Sequence, residues 1–389
     1  MKHYLKYFAL VVVLVFAAFP TRAALAASTT AYVYVSTPGG IYGYTASSSG
    51  QLKAMEYSPY TNTQGTMVGS NKSYFITVDT GSIHAYVVAP GGRIASQTWV
   101  ADTQTQSGSE CGTIGGATLD HTGKYVYVLL EGSGNCAVYQ TWEIDSIGGL
   151  TFKGVSADVS HGFPAETPLV IEGNSKFAFE SPAAANYTSP GNGCNPYLNL
   201  LQPESSGTLN YIDSGATVTG PAPGSNGDQL LPVPWLMSDD PTDHIALAVF
   251  DVEGPACGIG GSVQLGSFTV NSHGDLTSTN TGGNMPTVPG GVSSLILSRT
   301  GTYLAVATGP GVELFHFNGA KPITEFTGII GTSGYVSHMS WDTANQLFAL
   351  NGSSGKLHVY EVTGSGAKEA SGSPILPPGG ATNLVVTSE

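Results

Sequence analysis

The chain has 389 residues, 41% of them hydrophobic and only 10% charged, with 52 Gly, 23 Pro and 19 Tyr. That is ample for a large core, and the Gly, Pro and Tyr content favours many short strands joined by turns over charged, exposed helices. Twenty-seven acidic residues against thirteen basic ones give a net charge of −14, which repels phosphate backbones and leaves no basic patch for nucleic acid, anionic lipid or a phosphorylated substrate.

The first element is a targeting segment. Lys2 and Lys6 precede an apolar run of about a dozen residues from Phe8 to Phe19, short for a membrane span, and Ala24-Leu25-Ala26 supplies a small-residue cleavage site. Residues 1–26 are therefore expected to be a signal peptide and residues 27–389 a single exported domain, secreted or periplasmic. Loss of Lys2, Lys6 and Arg22 takes the charge to about −17. No later apolar stretch reaches the roughly 18 residues of a span, so no membrane association is expected after cleavage.

Next comes a strand, Ala31-Tyr-Val-Tyr-Val35, then another, Gly40-Ile-Tyr-Gly-Tyr44. A degenerate repeat follows. Its clearest copy runs from Ala117 to Leu129: a short apolar strand, a polar turn Asp120-His-Thr-Gly123, then an alternating strand from Tyr125. Copies recur from Ser294 to Val306 and from His338 to Leu350, with weaker ones from Met67, Leu169 and Leu236. Each continues into a Gly-containing loop, a third strand such as Lys356-Leu-His-Val-Tyr-Glu-Val362, and a Gly turn to a short last strand. Four alternating strands per unit is the pattern of a propeller blade. Anchored on the second strand, the units start at Tyr32, Tyr74, Tyr125, Phe177, Ile245, Tyr303 and Leu347, which makes seven. The first unit lacks an innermost strand, and Thr382 to Thr387 reads as one with no blade after it. The expected fold is all-β: a seven-bladed propeller of four-stranded antiparallel blades, closed by its C-terminal strand, and a monomer.

The Asp-x-x-Gly-x-Tyr-x-Tyr-Val pattern at Asp120 to Val128, with Tyr32-Val-Tyr-Val-Ser36 and Gly301-Thr-Tyr-Leu-Ala-Val306, resembles the bacterial lactonase-like propellers described by their Tyr-Val-Thr-Asn repeats. The likeness spans nearly the whole exported chain and implies the architecture. Members of that family include sugar lactonases such as 6-phosphogluconolactonase, alongside exported repeat proteins with no known reaction. A His-Pro dipeptide common in the family is absent; His161-Gly-Phe-Pro164 comes nearest, at a different spacing.

Blade topology sorts the connections. Fourth-to-first and second-to-third connections share one face, here the loop face, where the ligand is expected. First-to-second and third-to-fourth turns share the other, the turn face. Four cysteines allow three pairings. All four map to the loop face, so Cys111 is expected to pair with Cys136 and Cys194 with Cys257. The catalytic candidates are Glu166 as a general base and His161 as a proton shuttle or metal ligand. Glu110, Trp235 and His338, with Tyr187 and Tyr197 in the long inserted loops, are ligand-binding candidates. No Gly-x-Ser-x-Gly elbow, zinc-protease helix, phosphate loop or EF-hand occurs, so neither cofactor nor metal is expected. The adjacent acids Asp239-Asp240 and Asp251-Val-Glu253 are candidates for calcium, against the commoner reading of solvated strand ends. The leading expectation is a binding module for a small-molecule, carbohydrate, peptide or protein ligand. A lactonase-like hydrolase and a structural surface protein are the alternatives.

Overall fold

The computed structural model describes residues 28–103, 111–132, 136–159, 169–180, 198–219, 229–253, 258–289, 291–331 and 334–389; the side chains of 213–214, 229–235, 251–253 and 258–262 are not included. Among the described residues there are thirty strands and no helix, arranged as seven separate sheets. All seven strand starts expected from the repeat fall in or beside the second strand of a sheet. Six sheets have four strands, and the fifth blade carries two short extra ones, Val218–Thr219 and Thr287–Val288.

The first blade is completed by the end of the chain. Asn383–Ser388 pairs antiparallel with Thr29–Thr37, in a register that sets Tyr32 opposite Thr387 and Val35 opposite Leu384. This covers the inner edge that the first blade would otherwise leave unpaired.

The alternation of each second strand explains the ring. Tyr32 and Tyr34 project to one side of blade one and pack with Phe75 and Tyr86 of blade two. Val33 and Val35 project to the other side and pack with Phe348, Leu350 and Val359 of blade seven. The buried apolar residues fall into seven clusters, one for each pair of neighbouring blades. No blade is buried without its neighbours, so the core is a property of the ring.

Two local devices account for the repeated residues. At the first-to-second turn a short polar side chain holds the backbone: Asp120 Oδ1 accepts the N–H groups of Lys124 and Tyr125 at 2.7 and 2.8 Å. Asp342 does the same for Ala344 and Gln346, and Ser298 Oγ for Thr302 and Tyr303. The turn needs a left-handed residue, supplied by Gly123 and Gly301 (φ 70° and 67°) and in blade seven by Asn345 (φ 59°). The second device is a Tyr seated on the next blade's outer glycine turn. A Cβ at Gly92, Gly148 or Gly207 would lie 2.2–2.4 Å from the ring of Tyr32, Tyr74 or Tyr125. The Tyr74 hydroxyl also donates to the Ser146 carbonyl at 2.8 Å, so ring and hydroxyl both tie blade two to blade three.

Cys111 and Cys136 are joined by a disulfide, as expected. Both lie opposite Gly132, so the bond links the first and third strands of blade three across the second. Cys194 and Cys257 lie outside the described residues.

Candidate functional site

The innermost strands end on the turn face around a cavity of about 690 Å³, continuous through shared lining residues with a second of about 310 Å³. Between them the two cavities touch all seven blades, so they form one mouth of the central channel. Arg299 and His121 line both.

Arg299 stands at the head of the blade-six turn. Its Nε donates to the Trp341 carbonyl of blade seven at 3.1 Å, and its Nη2 reaches the Val386 carbonyl of blade one at 3.4 Å. The guanidinium therefore bridges three consecutive blades across the point of ring closure. Burial lowers its pKa, with Asp342 nearby opposing the shift, but a guanidinium stays protonated. Among the described residues no carboxylate lies within ion-pair distance of it, and Nη1 takes no acceptor.

His121 lies in the blade-three turn. Its Nε2 contacts the Ile171 carbonyl of blade four at 2.7 Å and Asp239 Oδ2 of blade five at 3.2 Å. The hydrogen bond to Asp239 is the main influence that raises its pKa to about 8, against the opposing effect of burial. The ring is thus cationic at neutral pH. Both cations touch solvent yet sit in a concavity, where a charge is less screened than on open surface. Asp239 and Asp240 are engaged here: Asp239 pairs with His121, and Asp240 Oδ1 accepts the N–H groups of Thr242 and His244.

A second polar cluster lies between blades three and four, toward the loop face. Glu131 ends the second strand of blade three (Tyr125–Gly132), and Glu180 ends that of blade four (Ala178–Glu180). Glu180 is wholly buried, and its carboxyl is pushed up to about 7, chiefly by burial and further by Glu131, while a hydrogen bond from Asn199 opposes the shift. Burial also raises the pKa of Glu131.

Of the residues singled out from sequence, Glu110, His161, Glu166, Tyr187 and Tyr197 lie outside the described residues, as does the Trp235 side chain. His338 is half-buried in the innermost strand of blade seven (Val336–Trp341), 3.1 Å from Ser337 Oγ, and burial lowers its pKa. Its neighbours Met339 and Ser340 line the cavity, and His338 does not. Sequence reasoning passed over Arg299, His121, Glu131 and Glu180. The available signal for Arg299 was scarcity: Arg93 and Arg299 are the only arginines after residue 26.

No family model matches the sequence, and no curated protein does. Solved structures do. Two described as "putative 6-phosphogluconolactonase" are similar: one from Bacteroides fragilis, at 13% identity and TM-score 0.61, over 93% of this chain and 98% of that one; and one from Bacteroides uniformis, at 12% and 0.58, over 92% and 100%. The periplasmic gluconolactonase of Pseudomonas aeruginosa is similar at 15% identity and TM-score 0.57, over 92% and 99%. With seven blades, a self-closed ring and near-complete overlap with these structures, the chain has the fold of the lactonase-like seven-bladed propellers.

Proposed function

We propose that this propeller is an exported binding protein whose turn-face channel mouth takes a small, unphosphorylated sugar acid or its lactone. The observation that carries this reading is Arg299, a cation in the channel mouth with no carboxylate partner among the described residues. A single carboxylate or ester carbonyl matches one free guanidinium edge. The net charge of −14 disfavours a phosphorylated ligand, and the cavity volume suits a small molecule. Similarity to a gluconolactonase supports the sugar-lactone class. The Cys111–Cys136 disulfide supports export, since such bonds persist in oxidising compartments. A larger carbohydrate, peptide or protein partner contacting the segments around Tyr187 and Tyr197, which lie outside the described residues, belongs to the same reading.

A second reading, lactone hydrolysis, is favoured by the same pair. Arg299 would stabilise the oxyanion formed as water adds to the ring ester, and His121, once neutral above about pH 8, would accept the water's proton.

Titration calorimetry with gluconate and glucono-δ-lactone tests the binding reading. Arg299→Lys, which keeps the charge and loses the planar fork, is expected to weaken binding at least about tenfold. Unchanged affinity in that variant, or no binding to the wild type at about 10 mM ligand, would sink it. A turnover assay on the lactone separates the two readings. Hydrolysis that rises through pH 8 and is lost in His121→Gln selects the enzyme.

A further inference from the structure

The interface between blades three and four is apolar over most of its length, through Tyr127, Leu129, Ala178 and Leu201. At its loop-face end the same alternation continues into polar residues. Glu131 lies opposite Ala137, two residues before Tyr139 on the neighbouring strand, and Glu180 lies directly opposite Asn199. Tyr139 is 2% exposed, and Glu180 and Asn199 are 0% exposed. They form a buried polar pocket at the end of an otherwise hydrophobic seam, with Glu131 partly exposed beside them.

Its hydrogen bonding is one-sided. Asn199 Nδ2 donates to the Val159 carbonyl at 2.8 Å and to Glu180 Oε2, which engages both of its hydrogens and fixes the orientation of the amide. Three buried oxygens then have no partner among the described residues: Glu180 Oε1, Asn199 Oδ1 and the Tyr139 hydroxyl. Glu180 feels the charge of Glu131, and Tyr139 feels both carboxylates. Among the described residues, the influences acting on Glu131, Tyr139 and Glu180 include no Lys, Arg or His. Space has been left beside the fourth member. Gly115, on the innermost strand of blade three (Cys111–Leu119), lies so close to Glu131 that a Cβ there would be 2.3 Å from Oε2. Buried acceptors without donors are costly, and a fully buried carboxyl beside a second, partly buried one, with no countercharge among the described residues, is costlier still.

We infer that this pocket is a calcium site, with Glu131, Glu180, Asn199 Oδ1 and the Tyr139 hydroxyl as its oxygen ligands. The donors are all oxygen, which selects a hard cation over zinc or copper. Two carboxylates balance a divalent charge. An irregular set of carboxylate, amide and phenol oxygens suits the adaptable coordination of calcium better than the strict octahedron of magnesium. No contiguous motif announces the site, because its ligands come from four strands of two blades.

The test uses the purified full chain stripped with chelator. Addition of calcium at about 1 mM, the range of extracellular calcium modules, is expected to raise the melting temperature saturably, with magnesium at the same concentration doing much less. Terbium in place of calcium is expected to give tyrosine-sensitised emission, lost in Tyr139→Phe and displaced by calcium. Glu180→Gln and Glu131→Gln, each nearly isosteric, are each expected to weaken calcium binding at least about tenfold. The wild-type titration needs no variant, so a variant that fails to fold leaves the proposal open to refutation. A stripped protein whose melting temperature ignores calcium, or calcium affinity unchanged in both Gln variants, overturns it. Gluconate binding at Arg299 is measured separately, so neither result decides the other.

Discussion

Two blade interfaces of the same ring are built on opposite principles. Between blades seven and one, where the circle closes, the core of the seam is apolar: Val33, Val35, Phe348, Leu350, Leu384 and Val386 meet without a covalent link, and a buried polar side chain there, Gln346, is satisfied by donating to the Ser47 carbonyl at 2.8 Å. Between blades three and four, beside a blade stapled by Cys111–Cys136, the seam ends in Glu131, Tyr139, Glu180 and Asn199. The repeat tolerates both because each second strand offers alternate positions to each neighbour. An interface can therefore give up stability at one end for chemistry while the other interfaces hold the ring. The dry seam is where burial stabilises most, and the polar seam is where conditions in solution, such as pH and ions, act.

The comparison can be broken in order of size. Phe348→Ala in the closing seam removes a fully buried ring and is expected to cost about 3–5 kcal/mol, read by urea denaturation. A loss under 1 kcal/mol would show that closure does not depend on this seam. The polar seam is expected to respond to pH instead. Because Glu180 is held near 7, above the ordinary carboxyl value, the native state keeps a proton that the unfolded chain releases. In chelated protein that contribution is fully present below about pH 4.5 and is lost as pH rises through about 7, by an amount on the order of 2–3 kcal/mol. Glu180→Gln should flatten that part of the curve, and an unflattened curve would place the titrating group elsewhere. Replacing both Cys111 and Cys136 by Ser is expected to cost about 2–4 kcal/mol without affecting assembly of the seven-to-one seam. The smallest effect concerns His121, at the other end of the polar seam. Its raised pKa stabilises fully below about 6.5, and the contribution fades as pH rises through about 8. The ring is 45% exposed, so solvent screening reduces this to a shift of a degree or two in melting temperature, absent in His121→Gln.

The architecture was legible because propeller blades repeat the same physical needs. In blades one to three a Tyr starts the second strand where it seats on the next blade's glycine turn, in blade six Tyr303 stacks on Phe326 and Trp341 instead, and Asp, Asn or Ser holds the first turn. Those residues mark Tyr32, Tyr74, Tyr125 and Tyr303 even where the rest of the unit has drifted. Ring closure and the first disulfide followed from counting strands and faces. The extra strands of blade five escaped because they come from connections between blades, which carry no repeat. The site residues escaped for a different reason. Arg299 occupies a turn that looks like every other turn, and its role depends on two carbonyls 42 and 87 residues away. Glu131 and Glu180 resemble ordinary acidic strand ends, yet each stays in phase with buried residues two positions earlier, Leu129 and Ala178. Strict period-two counting, continued one residue past the apolar run, would have placed both carboxyls inside the protein.

The hydrogen-bonded ends of the ring also carry a mechanical implication. Thr29 and Ser388 lie at the same end of one antiparallel pair, and the Glu389 N–H donates to the Thr30 carbonyl. Tension applied between these two points would part the strands bond by bond, as a zip opens, rather than shear all the bonds at once. The circle held together by its apolar seams would therefore yield to a small pulling force, and blade one would open before any other.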